Sequence, residues 1–278
     1  MEINFIKHKK IIFFVAIFIL ALVIFYEINM HYVFINGHIY NCKITSLNLN
    51  HKVLCENDVK NIARLQELEE LDIFEATITD ISFLSKLEKL RFLSIGGRTN
   101  CDIIDWSPLG ECSQLEYLRL WDADFSNLTY IKKLDNLRTL DMSFGNNLNN
   151  IDDIVYLSNL KEVYLNSNNL SDITPICQLK NIEKIVICST IVEIPDLSVC
   201  TQLKYLVLLV DANQYKHIKN ISGLANSSIE ELVLNAKPDE HSSLWEMPNL
   251  SKLTISNGVL TAEEIESLRV IGVTVVIE

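Results

Sequence analysis

Seven cysteines occur in this chain, Cys42, Cys55, Cys101, Cys112, Cys177, Cys188 and Cys200, yet none forms a Cys-x-x-Cys pair. A zinc ribbon or dithiol redox motif is therefore unsupported. There is also no Gly-rich phosphate loop, no His-Glu-x-x-His zinc motif and no Gly-x-Ser-x-Gly elbow. The six histidines are scattered. No catalytic set can be named, so the chain reads as non-enzymatic, with no cofactor, metal or small-molecule substrate expected. Positive charge is scarce, since 24 Lys and Arg face 36 Asp and Glu for a net charge of −12. A nucleic-acid groove needs clustered basic side chains, which sets that class of partner aside. Glycine and proline number only 8 and 5 in 278 residues, and no Pro/Gly/Ser-rich stalk is present.

What the chain does contain is a repeating apolar spacing. Between Leu157 and Gln178, apolar residues fall at Leu157, Leu160, Val163, Leu165, Leu170, Ile173 and Ile176, and Leu179 begins the pattern again. Val163 and Leu165 alternate with Glu162, Tyr164 and Asn166, so a short strand points two apolar side chains to one face and three others to the opposite face. Ile173 and Ile176 mark the return, and Pro175 suits a one-turn return better than a long helix. One such unit cannot bury its own apolar face, but a stack of units can.

This pattern resembles the bacterial, internalin-like class of leucine-rich repeat, with a period of about 22 residues. The resemblance implies an α/β solenoid: a horseshoe with a parallel β-sheet on the concave face and short 3-10 or irregular segments on the convex side. It also implies an asparagine at Asn168 whose amide bonds the turn backbone, a surface or envelope setting, and action by binding another macromolecule. Repeat starts read at Asn41, Leu65, Leu87, Cys112, Leu134, Leu157, Leu179, Cys200, Asn226 and Met247. Strand cores fall at Leu47/Leu49, Leu71/Ile73, Leu93/Ile95, Leu118/Leu120, Leu140/Met142, Val163/Leu165, Ile185/Ile187, Leu206/Leu208, Leu232/Leu234 and Leu253/Ile255. Cys112 and Cys200 take the first place of their repeats, where leucine normally sits, so they are expected to be buried. The first repeat carries a short helix over 56–64. The third and eighth are lengthened around Gly96–Cys101 and Asp211–His217, where loops can add to a binding face.

Both ends carry capping signals. Val33–Tyr40 reads as a hairpin around the type I′ pair Asn36-Gly37. Thr261 and Glu264 form a capping box that opens a helix, Gly272 stops it, and Val273–Ile277 supplies a last strand. Cys42 and Cys55 lie in the first turn and could bridge in an oxidising compartment. Before the hairpin, Lys7, Lys9 and Lys10 precede Ile11–Tyr26, which has no charge. As a helix this run spans roughly 24 Å, slightly short of the ~30 Å hydrocarbon core, a gap that lysine snorkelling can close. The basic flank favours a cytoplasmic N-terminus, with the repeats across the membrane at a cell surface or in a periplasm. A cleaved signal is the rival reading, but Phe25 to Asn36 offers no small residue for cleavage. The expected organisation is a basic tail at 1–10, a transmembrane anchor at 11–26, a linker and cap hairpin at 27–40, about ten repeats at 41–258 and a cap helix and strand at 259–278.

The outward strand positions of the second to sixth repeats collect Asp72, Phe74, Phe92, Tyr117, Arg119, Trp121, Asp141 and Tyr164. Large rigid rings beside charges make a protein-binding surface, so these eight are the candidate partner site. Aromatics can also stabilise neighbouring strands, and the Val186, Val207 and Val233 positions farther along read as ordinary strand chemistry. A cytoplasmic repeat scaffold is the alternative, which the basic-then-apolar N-terminus opposes.

Overall fold

A computed structural model describes residues 2–97, 103–123, 125–144, 147–189, 193–209 and 218–278; within 2–14 the backbone alone is described. The lengthened parts of the third and eighth repeats lie largely outside these residues. Eleven strands form one parallel sheet: β3 (Ser46–Asn48), β4 (Glu70–Phe74), β5 (Phe92–Gly96), β6 (Tyr117–Trp121), β7 (Thr139–Met142), β8 (Glu162–Ser167), β9 (Lys184–Ser189), β10 (Tyr205–Leu209), β11 (Glu231–Leu234), β12 (Lys252–Ile255) and β13 (Thr274–Ile277). Each pairs with the strand next in sequence. The register puts Leu71 beside Leu93, Leu118 beside Leu140 and Val163 beside Ile185. Every apolar pair read from the spacing is buried, from Leu47/Leu49 to Leu253/Ile255. Period-2 alternation makes this possible, because each strand sends its apolar members to the same side and the next coil covers them.

The returns are short 3-10 turns at Ser82–Lys86, Ser107–Glu111, Asp152–Tyr156 and Thr174–Gln178, the last with Pro175 in its first turn. Cys112 and Cys200 are buried as expected, and burial pushes the Cys112 thiol up to about 12. A polar ladder also runs between the coils. Asn168 is exposed, and the buried rungs are hydroxyls: Ser167 Oγ donates to the Leu148 carbonyl at 2.7 Å and Ser189 Oγ to that of Leu170 at 2.6 Å. β8 runs one residue beyond the expected strand, so alternation turns residue 167 inward and residue 168 out. A second ladder lies ahead of the strands. Asn136, Asn159 and Asn181 donate through Nδ2 to the carbonyls of Ser113, Asp135 and Ser158 at 2.8, 2.7 and 2.9 Å, each reaching back one coil.

The N-terminal end is closed by an antiparallel hairpin, β1 (Tyr32–Ile35) and β2 (His38–Asn41), with Asn36 and Gly37 at φ 46° and 82°. Val33 and Ile35 are buried against the first coil. The helix α2 (Glu56–Ile62) packs beside it, and the buried Asp58 joins the two. Its carboxylate accepts the Asn36 N–H at 2.8 Å and the Cys55 N–H at 2.9 Å. Burial pushes the Asp58 carboxyl up, but those two donors outweigh it and the net shift is downward. Cys42 and Cys55 are both free thiols. At the other end α3 (Ala262–Val270) opens on the Thr261–Glu264 capping box, with Gly272 at φ 99° before β13.

Ahead of the hairpin, α1 runs from Glu2 to His31. It leads directly into β1 at Tyr32, within the 27–40 segment read as linker and cap hairpin. Glu27 and His31 lie one turn apart on this helix and pair at 3.3 Å. From Val15 to Met30 the large apolar side chains of α1 are exposed. Among the described residues no helix is long and apolar enough to cross a membrane; the side chains of 2–14, which include the start of the apolar run, are outside that description.

Two predictions follow from the packing and the cap. Leu140→Ala should lower unfolding free energy by about 2–5 kcal/mol, against about 1 kcal/mol for Asn159→Ala; equal urea midpoints for the two variants would contradict the stacking account. Glu264 accepts the Thr261 N–H at 2.7 Å and contacts His241 Nε2 at 2.9 Å, and these bonds, in that order, hold its carboxyl down at about 2. A carboxyl depressed in the folded state stabilises above its ordinary range and loses that contribution as pH falls through the folded value. Glu264→Gln should therefore be less stable than the parent by about 1 kcal/mol at neutral pH. The gap should close between pH 4.5 and about 2; urea midpoints that keep a constant gap over that window would refute the assignment.

Candidate functional site

Parallel register arranges the concave side chains in three rows. The first runs Phe92, Tyr117, Thr139, Glu162, Lys184 and Tyr205. The central row runs Asp72, Ser94, Arg119, Asp141, Tyr164, Val186, Val207 and Val233. The third, at the C-terminal ends of the strands, begins Phe74, Gly96 and Trp121. The central row is polar over the first coils and carries valine at 186, 207 and 233 before Thr254, so its charged and aromatic members lie in the half nearer the hairpin.

Asp141 organises that half. It accepts the Trp121 Nε1–H at 2.7 Å, the Tyr117 hydroxyl at 3.2 Å and Arg119 Nε–H at 3.4 Å, and also the Ser143 hydroxyl. Arg119 donates in turn to the Tyr117 hydroxyl at 3.1 Å and lies over the Trp121 ring at 4.4 Å. Burial, then the Asp141 charge, pushes the Tyr117 hydroxyl up. For Arg119, burial opposes the charged form, but Tyr117 and Asp141 outweigh it and the guanidinium shifts upward. The sequence reading placed Asp141 on the contact surface; its side chain is only 8% exposed. Ser94, another outward position, is fully buried, and its hydroxyl has no hydrogen-bond partner. Strands about 4.8 Å apart let Tyr117, Arg119 and Trp121 lean over shorter neighbours. Asp141 and Ser94 are therefore the floor of the site and not its contact surface.

Above that floor the rings form two groups. Phe92 stacks on Tyr117 at 4.8 Å. A longer line runs His51, Phe74, Trp121 and Phe144, joined edge-to-face at 6.2, 5.7 and 4.8 Å. Phe74 and Trp121 are two strands apart and meet because Gly96 between them has no side chain. A Cβ on Gly96, at φ 128°, would lie 2.0 Å from the Trp121 carbonyl oxygen. Asp72 sits beside this line and accepts Asn50 Nδ2 at 2.8 Å. Tyr164 neighbours Asp141 in the central row, but its hydroxyl donates to Glu162 at 2.7 Å. Burial first, then that carboxylate, pushes the hydroxyl up. Lys184 lies 5.2 Å from the Tyr164 ring and 4.8 Å from Tyr205. Seven of the eight expected residues thus gather on the first coils, with Tyr164 at their margin.

His51, Phe144 and Gly96 were missed as site residues. His51 and Phe144 lie just outside the strict strand alternation, and Gly96 was read only as the start of a lengthened loop. A usable signal was the lone glycine at an outward position between two aromatics. A cleft of about 270 Å³ lined by Asn136, Arg138, Asn159, Lys161 and Asn181 lies elsewhere, and its asparagines are those of the backbone ladder. Among the described residues no group of three or more His, Cys, Asp and Glu is placed to hold a metal ion.

A stacked parallel sheet with 3-10 returns and two capped ends is now in place. The fold is that of an internalin-like leucine-rich repeat protein. A family model described as leucine-rich repeats, two copies, matches residues 135–178. The crystal structure of an internalin (inlF) from Listeria monocytogenes superposes with a TM-score of 0.57 at 20% identity, covering 86% of this chain and 83% of that one. Internalin C2 of the same organism gives 0.54 at 18% identity, with coverages of 79% and 85%. No curated relative matches the chain.

Because Asp141 accepts from four side chains under the rings, Asp141→Ala should cost about 2–3 kcal/mol and red-shift tryptophan emission as Trp121 loosens. An unchanged emission spectrum together with an unchanged urea midpoint would show that Asp141 does not organise the site.

Proposed function

We propose that the chain is a membrane-anchored, non-enzymatic interaction module whose concave face, over its first coils, docks a protein partner outside the cytoplasm. The carrying observation is the aromatic line from Phe74 through Trp121 to Phe144, set on a floor whose polar groups satisfy one another. Trp121 Nε1 and the Tyr117 hydroxyl are both committed to Asp141. What they leave for a partner is chiefly ring surface, held in place at little further entropic cost. Large, rigid, partly exposed rings of this kind concentrate binding energy. The anchor is supported by the uncharged run Ile11–Tyr26 after a basic flank and by the exposed apolar side chains of α1 from Val15 onward.

Removing Trp121 or Tyr117 would strip Asp141 of donors and disturb the fold, so the informative variants are Phe74→Ala and Phe144→Ala, which leave the Asp141 donors in place. With the intact protein on cells, crosslinking should capture a partner that the double variant loses by tenfold or more, with thermal unfolding little changed. Undiminished capture by the double variant would rule the aromatic line out. Protease shaving of intact cells checks the side of the membrane: repeats protected until lysis would instead indicate the cytoplasmic scaffold.

A further inference from the structure

The hairpin that closes the core has two apolar faces. Alternation sends Val33 and Ile35 into the first coil, both buried. Cross-strand pairing sets Phe34 opposite Ile39 on the other face, with Tyr32 on the same side. Phe34 is 53% exposed and Ile39 73%, and Tyr32 is also exposed. A cap that met only water on its outside would carry polar residues there. This exposed surface does not end at the hairpin, because α1 leads into β1 without a linker and carries its own exposed apolar side chains from Val15 to Met30.

The joint is tied at two further points. The Cys42 N–H donates to the His31 carbonyl at 2.7 Å, and the Arg64 guanidinium donates to the Asn29 carbonyl. The end of α1, the hairpin and the coil after α2 are thereby bonded to one another. Tyr32 follows Tyr26, the last residue of the uncharged run, by six residues, which is about 9 Å along a helix axis. That distance is comparable with the headgroup layer flanking the hydrocarbon core, the zone where tyrosine and other aromatics concentrate.

We infer that the outer face of the hairpin, Tyr32, Phe34 and Ile39, rests in the headgroup layer of a lipid bilayer and holds the solenoid at one attitude to it. This rests on the reading of α1 as the membrane anchor. A lipid surface is the occupant because the exposed apolar surface is covalently continuous with that anchor, and a protein covering the hairpin alone would leave the adjoining helix unexplained.

The test uses the full chain reconstituted into vesicles with phosphatidylcholine brominated near the top of its acyl chains. Phe34→Trp adds one reporter to the common background of Trp106, Trp121 and Trp245; Val199→Trp, at an exposed position on the convex side, is the control. The added emission of Phe34→Trp should be quenched at least twofold by the brominated lipid, and that of Val199→Trp should not change. If the chain resists alkaline extraction while Phe34→Trp is quenched no more than the control, the hairpin inference is wrong and the anchor stands. A blue-shifted but unquenched Phe34→Trp would assign the face to protein, including a second copy, and would also overturn it. Release of the chain by alkali would remove the anchor and this inference together.

Discussion

Every other feature of the molecule depends on one contact, the lateral pairing of each strand with the strand one coil away. That pairing lays Leu71 beside Leu93, Leu118 beside Leu140 and Val163 beside Ile185. No coil has a core of its own; its interior is half supplied by the coil before and half by the coil after. Two consequences follow. The stack needs a closing device at each end, and it has two of different construction: a hairpin and helix bonded through Asp58 at the start, and a capped helix with a final strand at the finish. The polar bonds between coils also point backward by one repeat, as the asparagine and serine ladders do. They reinforce a register that the buried apolar alternation already specifies.

The same pairing produces the candidate site. Strands about 4.8 Å apart cannot each display an outward aromatic or arginine upright, so side chains tilt over whichever neighbour is smaller. Gly96 and Ser94 are the small neighbours here, and Phe74, Tyr117, Arg119 and Trp121 tilt. A carboxylate in that layer has lost most of its water and needs hydrogen-bond donors in its place. Asp141 finds them in the surrounding tryptophan, tyrosine, arginine and serine. The polar network and the aromatic display are thus one arrangement. The carboxylate orients the rings, and the rings shield the carboxylate.

This explains which parts were legible from residues alone. Inward positions obey a strict alternation and a nearly fixed repeat length, so Leu47 to Ile255 could be placed without a structure. Capping residues such as Asn36-Gly37 and Thr261–Glu264 act over three or four residues and were equally readable. Outward positions were assigned correctly to the concave face, but their depth was not. Whether Asp141 is surface or floor depends on the side chains at 117, 119 and 121 in the preceding coil, about twenty residues earlier in the chain. The buried rung at Ser167 shows the same limit, because it depends on one strand residue beyond the 162–166 that the alternation marks. Phe144 and His51 escaped because they join the aromatic line from turns, where no periodicity applies.

The central row also separates two regimes along the solenoid. Over the first coils it holds Asp72, Ser94, Arg119 and Asp141, and over the later coils it holds Val186, Val207 and Val233. Valine in a strand needs no functional explanation, whereas a buried carboxylate does, since apolar residues of similar size would stabilise the sheet at least as well. The costly chemistry therefore lies in the half of the stack nearer the N-terminal cap. That half is also the one nearest the exposed apolar surface of Phe34, Ile39 and α1. The aromatic line and the apolar outer face of the cap therefore lie in the same half of the stack, so a molecule reaching Phe74 and Trp121 approaches the solenoid from its N-terminal half.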